Sequence, residues 1–137
     1  MQYAEVEFIR AEAILKGYTM GNAQTAYENG IKASLSYWGA KMPSDFLTRA
    51  GIAYNGTLEQ VLTQKYFALF FNDMQQWFEI RRTGFPKLPK GSATINKQLP
   101  SRLTYPLLVQ SSNAENYKQE LSIMGADTDT TKVWWQQ

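Results

Sequence analysis

The sequence predicts an all-α protein. Two long segments, residues 22–38 and 57–81, carry apolar residues at three- and four-residue steps, as an α-helix with one buried face requires. Helix start and stop signals bound these segments. Of the 137 residues, 44% are hydrophobic and 14% aromatic, which is enough for the core of one domain spanning residues 1–137.

The first predicted helix covers residues 3–17. Four apolar residues, Val6, Ile9, Ala13 and Leu15, are expected to face a neighbouring element. Gly17 is placed to end the helix, because glycine adopts the left-handed conformation common after a last helical turn.

The second predicted helix begins near Asn22 and has the clearest periodicity in the chain. The loop before it is short, so the two helices should form an antiparallel hairpin similar to that of tetratricopeptide repeats. A single hairpin cannot bury both of its faces, which predicts further helices beside it or a neighbour upstream. The inward positions are Ala23, Ala26, Tyr27, Gly30, Ile31, Ser34, Leu35 and Trp38.

A long third helix is predicted over residues 57–81, packed on the hairpin. Thr57 and Gln60 have the spacing of a capping box, and Gly84 with Pro86 ends the helix. Arg81 and Arg82 lie at its carboxyl end, where the helix dipole favours positive charge. We expect Asp73 or Glu79 to pair with one arginine, and the alternative is a site for an anion or an acidic partner.

The connections are predicted to be long and irregular. Residues 40–56 form a surface segment with a short helix at 44–49, residues 86–100 form a second irregular stretch, and 102–109 form an extended or turn-like piece. Asn113 caps a short last helix that runs to about Met124, with Gly125 after it. The terminal pair Trp134-Trp135 is expected to dock, because two large apolar rings are unfavourable in water.

The composition argues against most enzyme classes. The chain has no cysteine and no histidine, which removes thiolate chemistry, the commonest general base and the commonest metal ligand. Glu5, Glu7 and Glu12 are interpreted as a solvated helix face, and Asp127-x-Asp129 lacks the rest of a calcium loop. We therefore predict no catalytic residue, no metal and no cofactor. The net charge of +2 predicts no nucleic-acid partner, and no apolar run is long enough to span a membrane.

Four sequence blocks, in the same order as in the SusD/RagB family, carry a resemblance to that family of glycan-binding outer-membrane lipoproteins. They are AEVEFIRAEAILKG (4–17), AYENGIKASLSYWG (26–39), QKYFALFFNDMQQWFEIRRTGFPKL (64–88) and a terminal set comprising RLTYP (102–106), Asn113-x-x-Asn116-Tyr117 and Val133-Trp134-Trp135. Members of the family are several times longer and begin with a signal peptide and a lipidated cysteine. The chain therefore resembles a C-terminal fragment, soluble by itself, whose lipid anchor would lie upstream.

The resemblance implies a tetratricopeptide-like helical scaffold and a non-enzymatic function. A member would bind a glycan at the bacterial cell surface and deliver it to a SusC-like TonB-dependent transporter. Three alternatives stay open: a scaffold fragment that only contacts the transporter, an enzyme acting on polysaccharide, and a relative that carries peptide or another nutrient.

No sugar-binding residue carries over from the family by motif, so the candidates come from residue chemistry. Sugars bind to flat aromatic faces with amides nearby, which gives Tyr54 and Asn55 as first candidates and Tyr37 and Trp38 as further ones. Trp38 also continues the buried stripe of the second helix. Trp134 and Trp135 have the same chemistry, and we interpret them as anchors of the tail.

Overall fold

A computed structural model of the chain describes residues 2–89, 91 and 98–136. The helices are α1 (Tyr3–Leu15), α2 (Ala23–Tyr37), α3 (Leu58–Ala68), α4 (Gln75–Thr83), α5 (Leu107–Ser112) and α6 (Ala114–Met124), with short 3₁₀ helices at Phe46–Thr48 and Trp134–Gln136. Within the described ranges no residue lies in a strand, and the predicted all-α class is confirmed.

The chain divides into two compact units, Met1–Lys87 and Leu88–Gln137. The first contains α1 to α4 and the second contains α5 and α6. That the whole chain is one domain stays a prediction. None of the described helices is long and apolar enough to cross a bilayer.

The hairpin of α1 and α2 begins and ends where the sequence signals indicate. Gly17 has φ +73°, and the amide of Tyr18 donates to the carbonyl of Ala13 at 2.9 Å, which satisfies a free carbonyl of the last turn of α1. The side-chain oxygen of Asn22 accepts from the amide of Thr25 at 3.0 Å and caps α2.

The core of the first unit lies between α1, α2 and α3. The predicted inward face of α2 is buried from Ala23 to Ile31, whereas Trp38 is 51% exposed. On α1 the predicted face is wrong in part, because Val6 and Ile9 are exposed while Glu7 and Glu12 are buried. One cluster of buried residues on these helices comprises Ala4, Phe8, Ala11, Ala26, Tyr27, Ile31, Val61 and Ala68.

The expected continuous third helix is instead two helices. α3 ends at Ala68, and α4 begins at Gln75. Between them Phe71 has φ +58° and Asp73 has φ +51°, values that an α-helix excludes. The signal for the break is Asn72-Asp73, since both residue types favour turns and tolerate left-handed backbone.

The start of α3 uses half of the predicted capping box. The hydroxyl of Thr57 accepts from the amide of Gln60 at 3.2 Å. The Gln60 side chain does not return to Thr57: it donates to the carbonyl of Ala53 and accepts from the amide of Asn55, at 2.7 and 2.8 Å. Gln60 therefore ties the preceding loop to α3. At the far end Gly84, with φ +74°, ends α4 as predicted, and the Phe85–Pro86 peptide bond is cis.

The second unit is organised around Asp127. Its carboxylate pairs with Arg102 at 3.1 Å and accepts from the amide of Tyr105 and the hydroxyl of Tyr117, both at 3.1 Å. The predicted last helix is confirmed as α6, with Gly125 after it. The predicted cap is wrong, because the side chain of Asn113 makes no capping hydrogen bond and accepts instead from the side-chain amide of Asn116 at 2.7 Å.

Two further expectations for the second unit differ from the structure. Residues 107–109 of the predicted extended or turn-like piece are helical, because α5 begins directly after Pro106, the residue before the first helical position. Trp134 is 84% exposed, so its ring does not dock as expected. Of the irregular stretch at 86–100, residues 90 and 92–97 lie outside the described ranges.

Candidate functional site

The four candidate glycan contacts lie in three different places in the first unit. Tyr37 ends α2, is 64% exposed, and lines a cleft of about 260 Å³ between the start of α1 and the end of α2. Its ring meets that of Trp38 edge to face, with centroids 5.3 Å apart. Trp38, however, lines a separate apolar groove.

Tyr54 and Asn55 have structural contacts in the loop before α3. The ring of Tyr54 lies 5.3 Å from the buried ring of Tyr27 and is partly covered, and burial raises the pKa of its hydroxyl. The side-chain oxygen of Asn55 accepts from both the amide and the hydroxyl of Thr57, at 3.0 and 2.7 Å. Both residues shape the entry to α3, and neither is among the residues that line the cleft with Tyr37.

The cleft next to Tyr37 contains groups that the sequence analysis did not select. Tyr3 and Ser36 line it together with Gln2, and Tyr3 is as exposed as Tyr37. The hydrogen bond of Tyr3 with Glu7 is the main cause that raises the pKa of the tyrosine hydroxyl. The side-chain oxygen of Gln2 is buried without a hydrogen-bond partner in the described structure, and a buried carbonyl of this kind favours an added donor.

This cleft was invisible in the sequence because its parts come from two helix ends. Gln2 and Tyr3 precede or begin α1, whereas Ser36 and Tyr37 end α2. An antiparallel hairpin brings the start of its first helix beside the end of its second. The predicted hairpin was therefore the only feature of the sequence that could have pointed to this cleft. Two exposed phenol faces, an amide and a hydroxyl are groups suited to binding a polyol.

A second cluster, of charged side chains, joins α1, α3 and α4. Arg82 donates to both carboxylate oxygens of Glu12 at 2.7 Å and to Glu79 at 2.8 Å. Lys16 also donates to Glu12 at 2.7 Å, and Lys65, itself buried, pairs with Glu79 at 3.0 Å. The predicted Arg–Glu79 partnership is confirmed. The interpretation of Glu7 and Glu12 as solvated is wrong, since their exposed fractions are 5% and 6%.

The electrostatics of this cluster follow from its geometry. Burial by itself raises the pKa of Glu12, but hydrogen bonds from Arg82 and Lys16 outweigh it and lower the pKa to about 2. The pKa of Arg82 is raised, first of all by its hydrogen bond to Glu12. The other arginine, Arg81, lies over the ring of Trp77 at 4.3 Å from its centroid. The charges of the cluster are thus engaged with one another.

Within the described residues, no three acidic side chains come together as a metal site would require. The carboxylates of Glu12 and Asp127 each accept several hydrogen bonds from basic, phenolic or backbone groups.

Comparison with known proteins gives one family and a set of solved structures. A SusD-like family model, described as starch-binding and associating with the outer membrane, matches residues 1–106. A comparison with curated protein sequences gives no significant match.

Three solved structures illustrate the similarity. A SusD-like protein from Bacteroidetes is 28% identical, with TM-score 0.84, over 100% of this chain and 30% of its own. A SusD homologue from Bacteroides fragilis is 30% identical, with TM-score 0.83, and the match covers 100% of this chain and 34% of the homologue. A chitin-binding SusD homologue from Flavobacterium johnsoniae is 27% identical, with TM-score 0.79, and the match covers 98% of this chain and 36% of the homologue. The chain spans about a third of the length of these structures.

Proposed function

The chain belongs to the SusD-like family, and from that premise we propose that it takes part in binding a glycan at the surface of the bacterial outer membrane. The observation that carries the proposal is the family match over residues 1–106, whose description names starch binding and the outer membrane. The similarity to a chitin-binding homologue supports a glycan as the ligand.

Within this chain, the cleft next to Tyr37 has the groups best suited to a sugar. The exposed rings of Tyr3 and Tyr37 offer faces for the C–H side of a pyranose, and Ser36 and the unpartnered oxygen of Gln2 offer hydroxyl partners. Its volume of about 260 Å³ is close to the lower end of small-molecule pockets, about 300 Å³. We assign Tyr37 the leading contact. Trp38 supports the ring of Tyr37 from the side, whereas Tyr54 and Asn55 hold the entry to α3 and are assigned no sugar contact.

The proposed role is binding without turnover. Glycoside hydrolysis by the usual route needs two carboxyl groups on either side of the scissile bond, one of them able to donate a proton. Glu12 is held ionised by Arg82 and Lys16, and Asp127 is engaged by Arg102 and two tyrosines. In the longer protein, the bound glycan would pass to a SusC-like TonB-dependent transporter, and the protein would be held at the membrane by a lipid anchor.

The test is isothermal titration of the chain with chito-oligosaccharides and malto-oligosaccharides. Wild-type chain should bind one of the two series, and Tyr37→Ala should weaken binding about tenfold, which corresponds to about 1.4 kcal/mol. Tyr18→Ala is the matched control, because Tyr18 is also an exposed tyrosine and does not line the cleft.

Three outcomes would contradict the proposal. Binding that survives Tyr37→Ala unchanged would move the contact elsewhere in the chain. Absence of binding by this chain, with binding by a longer homologue, would make this third of the protein a scaffold. Release of new reducing ends from either oligosaccharide would support an enzyme instead.

A further inference from the structure

The first unit also has an apolar groove, separate from the tyrosine cleft. It has a volume of about 650 Å³ and is formed by α2, the 3₁₀ helix at Phe46–Thr48, α3 and the turn after it. The lining of the groove is mostly apolar: Ser34 and Gln64 are its two polar residues, and it contains no charged residue. The apolar lining includes Ile31, Leu35, Trp38, Phe67, Phe70 and Phe71.

Large aromatic side chains at the edge of the groove are exposed. Phe67, Phe70 and Trp38 are each more than half exposed, and Phe71 is 82% exposed. The rings of Phe70 and Phe71 lie 4.3 Å apart, and that of Trp38 lies 6.4 Å from Phe71. A contiguous aromatic surface of this kind marks an interaction site, because water contact with so many rings is unfavourable.

The backbone at Phe71 adds an independent observation. Phe71 has φ +58°, a conformation that is strained for a bulky residue other than glycine. The strained backbone presents a phenylalanine ring that stays mostly in solvent. Such strain is common at ligand clamps and binding surfaces, where contact with a partner offsets it.

The chemistry of the lining selects the kind of partner. A glycan needs several hydrogen-bonding groups for its hydroxyls, and this groove offers two polar side chains among twelve lining residues. An amphipathic helix places apolar residues at i, i+3, i+4 and i+7 into such a groove and needs no polar partner there.

The comparisons indicate where this helix would come from. The whole chain aligns with about a third of the Bacteroides fragilis homologue, so about two thirds of a SusD-like chain lies outside the region described by this structure. We propose that the aromatic groove is the docking site for an amphipathic helix from that remaining part of a SusD-like protein. Phe67 and Phe71 are its principal contacts.

The test uses the chain with tiled peptides from the part of the Bacteroides fragilis homologue that does not align with it. Peptides of about 20 residues form helices about 30 Å long. At least one peptide with an apolar helical stripe should bind, become helical by circular dichroism and shift the fluorescence emission of Trp38. The part of the total tryptophan emission that comes from Trp38 is identified by comparison with Trp38→Phe. Phe67→Asp and Phe71→Asp should each weaken binding at least about tenfold.

The control is Met20→Asp, which changes an exposed apolar residue in the α1–α2 loop and should leave peptide binding unchanged. Because Phe67 and Phe71 are exposed, both aspartate variants should keep the helical circular dichroism of the wild type. Failure of every peptide to bind, or binding unaffected by both variants, would overturn the proposal. So would self-association of the chain that Phe71→Asp abolishes, or binding of a chito-oligosaccharide that Phe67→Asp abolishes. These results do not depend on the tyrosine cleft and leave its test separate.

Discussion

At the residue scale, buried charge distinguishes this protein from a simple apolar bundle. Glu12 and Lys65 occupy positions on inward helix faces, and each has an oppositely charged partner on a different helix. A buried ion is costly unless it is paired, so α1, α3 and α4 must be arranged to bring Arg82 and Glu79 to these partners. The Arg81-Arg82 pair therefore acts in packing, with Arg82 the link between α4 and α1.

The depressed pKa of Glu12 predicts a loss of stability in acid. The pKa falls from its ordinary 4.5 to about 2 in the folded protein, so the folded state favours the ionised carboxylate. This stabilisation is present above pH 4.5 and is lost as the pH falls towards 2. The free energy of unfolding should decrease by up to about 3 kcal/mol over that interval, as measured by urea denaturation at each pH.

Glu12→Gln isolates this contribution. At pH 7 the variant should be less stable than the wild type, and the difference should shrink as the pH approaches 2. Glu120→Gln, an exposed glutamate on α6, should follow the wild-type profile. If Glu12→Gln and wild type lost stability in parallel, the ionic cluster would not be the source of the acid sensitivity.

At the element scale, the close approach of α1 and α2 depends on one glycine. A Cβ atom at Gly30 would lie 2.9 Å from ring carbons of Phe8, which is itself buried. The ring of Phe8 also meets Tyr27 edge to face at 6.1 Å. The ring of Phe8 therefore occupies the space that a side chain at position 30 would need, and only glycine at this position lets the two helices pack this closely.

Gly30→Ala should destabilise the first unit despite the better helix propensity of alanine. Propensity contributes about 1 kcal/mol in favour, whereas overpacking a well-packed core costs about 1–3 kcal/mol. We expect a net loss of about 1 kcal/mol in the free energy of unfolding, measured by urea denaturation. Ser36→Ala on the exposed face of α2 is the control and should change little. An increase in stability on Gly30→Ala would mean that Phe8 moves freely.

At the scale of the whole molecule, two compact units share one chain, and each has its own ionic centre. In the second unit Asp127 joins Arg102, Tyr105 and Tyr117 across a break in helical structure. The side chains of Arg102 and Asp127 are both largely buried. Arg102 therefore does not lie free on the surface, because its charge is neutralised by Asp127.

Asp127→Ala should loosen the second unit. It would leave Arg102 with an uncompensated buried charge, for which a cost of about 3 kcal/mol is expected. Amides of α6 should then exchange hydrogen faster, as followed by mass spectrometry. Glu120→Ala, on the exposed surface of the same helix, should leave exchange unchanged. Equal exchange in Asp127→Ala and wild type would show that α5 and α6 are held by other contacts.

The sequence by itself determined the helical class, the hairpin and the helix ends at Gly17, Asn22, Gly84 and Asn113. These features depend on local rules, namely periodicity and backbone preferences near each residue. The family resemblance was also available from the sequence, because its blocks are contiguous.

Only the tertiary structure decided which faces are buried and which side chains meet. Glu12 finds Arg82 seventy positions away along the chain, and the start of α1 lies beside the end of α2 to form the tyrosine cleft. The backbone reversal at Phe71 also turns one expected helix into two and opens the aromatic groove. Long-range pairing and burial depend on how helices pack together, and no single segment carries that information.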